Sequence, residues 1–198
     1  MSLSGSQLAG GNSTSTKAEH DFYATDPKTV ETFLKRFIAD GNNLEGVIWE
    51  CACGSGNISD VLKQFYPEKA QSIVSSDIVY RGYGSTKPSD FLTSPFRADT
   101  IITNPPFSQI NKFIRHGLQA ANKYLIFFAK IQTLETVERM KLLQESPLKY
   151  VYVHSKRQAT WKNNAPLDPN GNKWATTMCL AWFVWEIGYK GEPVIRFL

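Results

Sequence analysis

The sequence predicts an α/β fold around a mainly parallel sheet, and three observations carry that prediction. Short apolar runs of strand character alternate along the chain with segments whose apolar residues recur at helical spacing. The connections between them are short, and strands alternating with helices pair in parallel. One run, "KYLIFFAK", is apolar without interruption, the pattern of a strand buried on both faces.

Taken in order, the elements begin in "HDFYATDPKTVETFLKRFI". Asp26 suits an N-cap with Pro27 at the first helical position. Val30, Phe33, Leu34, Phe37 and Ile38 then follow helical spacing to a stop near Gly41. "GVIWECACGSGNISDVLKQF" reads as a short buried strand, a glycine-bearing turn, and a helix with Ile58, Val61, Leu62 and Phe65 on one side. "QSIVSSDIV" is a second strand ending on Asp77, and "TIITNPPF" is a third. "SQINKFIRHGLQAAN" sets Ile110, Phe113, Ile114, Gly117, Leu118 and Ala121 at helical spacing. Beyond "KYLIFFAK" come a helix in "TLETVERMKLLQES" and a strand in "LKYVYVHS". A long aromatic-rich strand in "TMCLAWFVWEIG" leads through the turn "GYKGEP" to a closing strand in "VIRFL". Residues 154–177 interrupt two of these strands without regular structure.

Length and composition bound the rest. A chain of 198 residues suffices for one well-buried domain. The Ser/Gly/Thr-rich, aperiodic opening is expected to be a disordered tail over residues 1–18, leaving 19–198 as the domain. No stretch approaches the ~20 apolar residues of a membrane span, and no secretory apolar run stands near the start. Three cysteines, an odd number, argue against a disulfide framework and for a reducing cytosol. The expectation is therefore a cytoplasmic protein without a membrane. A net charge of +4 is compatible with nucleic acid but does not demand it.

In parallel α/β sheets, ligands bind beyond the carboxyl ends of the strands. Residues 51–57, Asp77 and residues 104–107 each follow a strand, so all are expected on one rim. Gly54 and Gly56 stand between a strand and a helix, where glycine serves either a close ligand approach or simply a tight turn. The full dinucleotide pattern is absent, because Ser59 occupies the third glycine position, and no P-loop lysine follows. Asp77, about 20 residues on, suits the hydroxyls of a ribose when paired with such a turn. Asp90 and Phe91 suit an adenine edge and face, or else a capped turn beside a core ring. Asn104-Pro105-Pro106-Phe107 ends a strand on two prolines, which stop a ladder and stiffen the segment that presents an amide, carbonyls and an aromatic ring. Cys51-Ala52-Cys53 lacks a second Cys or His pair at ligand spacing, so no metal is expected. His116 and His154 read as structural or solvent-facing.

In order, "DFYATDP", "ECACGSG", Ser76-Asp77, "DFL" at 90–92 and "NPPF" resemble successive motifs of the S-adenosylmethionine-dependent amino-methyltransferases. The nearest likeness is to the small phage and prophage DNA adenine N6-methyltransferases, over roughly residues 20–198. The resemblance implies a Rossmann-like class I methyltransferase fold: a mostly parallel seven-stranded sheet with one antiparallel strand near an edge and helices on both faces. It implies S-adenosyl-L-methionine as cofactor. Phe22, Tyr23 and Thr25 would lie near its amino-acid end, and Glu50, Cys51, Gly54 and Gly56 around its methionine. Asp77 would hold its ribose, and Asp90 with Phe91 its adenine. Asn104, Pro105, Pro106 and Phe107 would be catalytic, acting on a base flipped from double-stranded DNA.

Larger adenine methyltransferases carry a recognition region of a hundred or so residues. Here only residues 154–177 offer a counterpart. Lys156, Arg157, Lys162 and Lys173, with Trp161 and Trp174 interleaved, suit phosphate contact plus base stacking, or else a solvated loop with anchoring tryptophans. The same motif set also fits methylation of cytosine N4, of an RNA base or of a protein amide. A catalytically silent relative that binds nucleic acid is the rival of another class.

Overall fold

The structure, a computed structural model, is described for residues 23–158, 160–162, 164–167, 170–172 and 178–198. The expected tail, residues 1–18, lies outside them, as does Phe22. In chain order the strands are β1 (Tyr23–Thr25), β2 (Ile48–Glu50), β3 (Ile73–Ser75), β4 (Ala98–Thr103), β5 (Ala121–Lys130), β6 (Leu148–Val153), β7 (Thr160–Lys162), β8 (Leu180–Glu186) and β9 (Val194–Phe197). The α-helices are α1 (Pro27–Ala39), α2 (Asn57–Phe65), α3 (Ile110–Ala120) and α4 (Val137–Gln144).

Seven strands form one sheet in the order β3-β2-β4-β5-β8-β6-β9. All run parallel except β8, which lies antiparallel between β5 and β6. The antiparallel strand is thus third from the edge, because the closing strand β9 pairs outside β6. β1 and β7 form a separate antiparallel ribbon. Strand β7 corrects the expectation that residues 154–177 lack regular structure; both ribbon strands have only three residues, too few for a periodic signal.

The burial follows the period-two rule of a strand covered on both sides. Ile126 and Phe128 of β5, with Trp182 and Val184 of β8, face α1 and α2. Leu125 and Phe127, with Phe183 and Trp185, face α3 and α4. Helix α1 begins as its sequence dictates: Asp26 accepts from the Lys28 amide at 2.9 Å, and Pro27 fills the first position. Its Val30, Phe33, Leu34 and Phe37 are buried, whereas Ile38, about 100° further round the helix, is exposed. Helix α3 runs into β5 without a loop, so Ala121, expected on the helix, is the first residue of the strand. Gly117 permits this close approach, since a Cβ there would lie 2.5 Å from Leu125 Cδ1.

What positions the site is the order of the central strands. From β2 the chain crosses to β3 on one side and then to β4 on the other, so its path reverses between β2 and β4. A crevice opens at the carboxyl ends of strands where the order reverses in this way. The turn at 51–56 and the segment 104–107 flank that crevice.

The α1 side of the core is an aromatic stack. The Phe33 ring lies 4.6 Å from Trp182 in stacked geometry and 5.4 Å from both Phe37 and Tyr152. Truncating a fully buried ring costs about 3–5 kcal/mol. Phe33→Ala should therefore lower unfolding free energy by that amount in urea titrations, and a loss below ~1 kcal/mol would show that the stack is not what holds α1.

Candidate active site

The site begins where β2 ends. Glu50 is buried, and the chain turns through 51–56 into α2. Gly56 caps the helix with φ +86°, and a Cβ there would meet the Tyr83 ring at 2.4 Å, so this glycine is required twice over. Glu50 Oε2 accepts from the Ser59 amide at 2.8 Å and from the Ser59 hydroxyl, whose oxygen lies 2.6 Å from Ser75 Oγ. The serine that breaks the dinucleotide glycine pattern is thus the partner of the buried carboxylate. Burial pushes the Glu50 carboxyl from its usual 4.5 up to about 8; the Ser59 bonds oppose that rise, and Asp77 and Asp60 add to it. Burial also pushes the Cys51 thiol well up and the Cys53 thiol up to about 12, so neither is a thiolate at neutral pH.

Asp77 stands two residues beyond β3 and is tied into the turn. Its Oδ2 accepts from the Gly54 amide at 2.8 Å, while Oδ1 accepts from the Val79 amide at 2.9 Å and from Arg81 Nη1 at 3.1 Å. A carboxylate offers about four lone-pair sites, so some capacity remains for a hydroxyl. Asp90 accepts from the Leu92 amide at 2.9 Å and caps a short 3-10 turn, Phe91–Thr93. Phe91 is buried between Trp49 and Phe113, with centroids 5.3 and 4.9 Å away. A capped turn beside a core ring describes this pair well, yet both residues also line the crevice.

Across the crevice, β4 ends at Thr103 and residues 104–106 run into a 3-10 turn, Phe107–Gln109, that enters α3. The Asn104 amide Nδ2 donates to the Tyr23 carbonyl at 2.9 Å and to Thr25 Oγ1 at 3.1 Å. A carbonyl only accepts, so this pairing fixes which end of the amide is nitrogen. Both amide hydrogens are used on β1, and Oδ1 is left as the side chain's acceptor. β1 is held in turn by β7, with Thr25 opposite Thr160, and by Asn57 Nδ2, which donates to the Thr25 carbonyl at 3.1 Å. Lys130 Nζ, at the end of β5, lies 5.1 Å from the centroid of the half-buried Phe107 ring.

The crevice encloses about 970 Å³ of empty space, part of it open to solvent. Tyr23, Thr25, Glu50, Cys51, Gly54, Asp77, Asp90, Phe91 and residues 104–107 all line it. The expected cofactor and catalytic residues on the described part of the chain are therefore brought together, with Gly56 acting at the base of the turn. Arg81 and Lys130 were not expected from the sequence, and Asn57 was expected on the rim but given no role. Each is a single polar residue in a loop or at an element end, and only the fold shows what it faces.

The basic segment leads into β7, which pairs with β1 at the border of this crevice. Lys156 and Arg157 are exposed, and Gln158 anchors them by accepting from the Thr29 hydroxyl at 2.6 Å. Trp161 lies half-buried on β7, lining a second hollow with Ser55 and Asn57. Lys162 pairs with Tyr23 through its backbone. Lys173 and Trp174 lie outside the described residues. Among the described residues, no group of three His, Cys, Asp or Glu side chains is placed to hold a metal ion, and no helix is long and apolar enough to cross a membrane.

The architecture has many solved counterparts. A Listeria monocytogenes protein assigned to the class I S-adenosylmethionine-dependent methyltransferases matches with a TM-score of 0.61 at 14% identity, over 97% of this chain and 71% of that one. The fold is that of the class I, Rossmann-like methyltransferases. A type I restriction-modification methyltransferase subunit from Streptococcus thermophilus gives 0.60 at 14% identity, over 97% of this chain and 50% of the subunit. Magnesium protoporphyrin IX methyltransferase from Synechocystis PCC 6803, with bound S-adenosylmethionine, gives 0.50 at 16% identity, over 80% of this chain and 79% of that one. No family model and no curated protein matches the chain.

Glu50 makes stability depend on pH. The folded state holds this proton more tightly than the unfolded chain does. Its contribution is therefore full below pH 4.5 and lost as pH rises towards about 8. Glu50→Gln cannot ionise, so its stability relative to the parent protein should rise steadily from pH 5 to pH 8 in denaturant titrations. A difference that stays flat across that range would show that Glu50 titrates normally.

Proposed function

We propose that the protein transfers a methyl group from S-adenosyl-L-methionine to the exocyclic N6 amine of adenine in DNA, as the small phage and prophage enzymes it resembles would do. The charge of the crevice supports the cofactor. Glu50, Asp77 and Asp90 line it, and its Arg81 is paired with Asp77. The Ser59 amide at the start of α2, where a phosphate would otherwise dock, is taken by Glu50. Such a lining suits a cofactor with a cationic ammonium and sulfonium and no phosphate. When bound, S-adenosylmethionine supplies a methyl group already activated on its sulfonium. Asp77 would hold the ribose hydroxyls, and Glu50 with the 51–56 turn would hold the methionine part.

The observation that carries the acceptor assignment is the orientation of Asn104. An adenine amine has two N–H donors and a lone pair delocalised into the ring, so it is a poor nucleophile. Asn104 Oδ1 accepts one N–H and the Pro105 carbonyl accepts the other, which draws the nitrogen out of planarity and aims its lone pair. Pro106 brings no competing donor and keeps the carbonyls still. Phe107 offers a ring for a base extruded from the duplex. Positioning and electrostatics supply most of the rate, and no nucleophilic side chain is needed. Support for DNA as the substrate comes from the type I restriction-modification subunit among the structural counterparts and from the exposed Lys156 and Arg157 on the segment that leads into β7.

Asn104→Ala tests the assignment. The variant should lose about 10²–10³ in the rate of methyl transfer to DNA, the cost of one preorganised catalytic hydrogen bond. Cofactor affinity by calorimetry should stay at the parental value, because the donor is held by the opposite wall. Parental methylation by the folded variant would sink the assignment.

A further inference from the structure

The Thr25 hydroxyl accepts from Asn104 Nδ2, and the backbone around Thr25 is unusually constrained. Its Cα faces Thr160 in the ribbon, its carbonyl takes the Asn57 amide, and the next residue, Asp26, caps α1. The residue is 3% exposed. A hydroxyl fixed at so many points gives its partner a fixed direction.

We propose that Thr25 is a positioning residue for the acceptor: its hydroxyl, with the Tyr23 carbonyl, sets the rotation of the Asn104 amide so that Oδ1 meets the substrate amine. This rests on the methyltransferase reading above and deepens it. An amide side chain has a broad, nearly two-fold terminal torsion, so the rotamer alone does not choose which end faces the substrate. Two acceptors placed on one side of the amide do choose, because turning Oδ1 towards the Tyr23 carbonyl would set two oxygens face to face. The Tyr23 contact comes from the backbone and survives any substitution. The Thr25 contact is the one a side chain supplies, and it is open to test.

The test compares Thr25→Val with Thr25→Ser. Valine keeps the shape and removes the hydroxyl; serine keeps the hydroxyl and removes a buried methyl group. A packing role ranks valine above serine in both melting temperature and turnover. A positioning role inverts the order for turnover: kcat should fall about tenfold in Thr25→Val, the scale of one hydrogen bond, and remain near parental in Thr25→Ser. Thr25 also lines the crevice, so turnover is read at saturating cofactor, with cofactor affinity measured separately by calorimetry. The inference is overturned if Thr25→Val turns over at the parental rate, if serine is the slower variant, or if the valine defect disappears at saturating cofactor. A parent protein that methylates no DNA defeats the function reading itself. Parental activity that is sensitive at Asn104 but indifferent at Thr25 defeats this inference alone.

Discussion

Both hydrogens of the Asn104 amide are bound to β1, and the chemistry proposed here depends on that pair of bonds. An amide free to rotate presents a donor as readily as an acceptor to a substrate amine. Strand β1 removes the choice, although it belongs to no part of the main sheet. It is kept in place by three backbone pairings with β7 and by the cap it leads into at α1. The main sheet delivers Asn104 to the rim at the end of β4, and the small ribbon decides what the side chain does there. The two are laid down far apart in sequence, since β7 lies within the basic segment that follows β6.

The other wall of the crevice obeys a charge constraint. A carboxylate buried as fully as Glu50 is costly unless it is hydrogen-bonded or protonated. Ser59 supplies bonds from both amide and hydroxyl, and the raised pKa supplies the proton over much of the accessible pH range. Asp77 is stabilised differently, by two amides and the Arg81 guanidinium. The wall thus holds a carboxyl group able to ionise when a cation arrives and a second carboxylate already braced. A cationic cofactor relieves that cost, whereas a pyrophosphate would add to it. The same loop chemistry that distinguishes this turn from a dinucleotide site also explains why a serine stands where a third glycine would.

Much of this was legible in the sequence. The doubly buried pattern of "KYLIFFAK" and the helical spacing of Val30, Phe33, Leu34 and Phe37 reflect burial, which composition and periodicity report directly. The gathering of Asp77, Gly54 and Asn104 on one rim follows from each standing at the end of a strand in a parallel sheet. Strands β1 and β7 were not legible, because three residues carry no periodicity and their pairing is set by the chain around them. Ser59 was visible only as a departure from a pattern; its bond to Glu50 needs the turn to be closed. Phe91 had two open readings, and its neighbours Trp49 and Phe113 come from different elements that only the fold brings together.

The most direct measurement of the central claim is the identity of the product. Unmethylated DNA incubated with the purified protein and S-adenosylmethionine, then digested to nucleosides and analysed by mass spectrometry, should contain N6-methyladenine. Its amount should grow with enzyme and time and be absent when the cofactor is omitted. N4-methylcytosine as the product would keep the Asn104 geometry but contradict the assigned base. No methylated nucleoside at all, from a protein that binds the cofactor, would contradict the account of Asn104 as the group that aims a DNA amine.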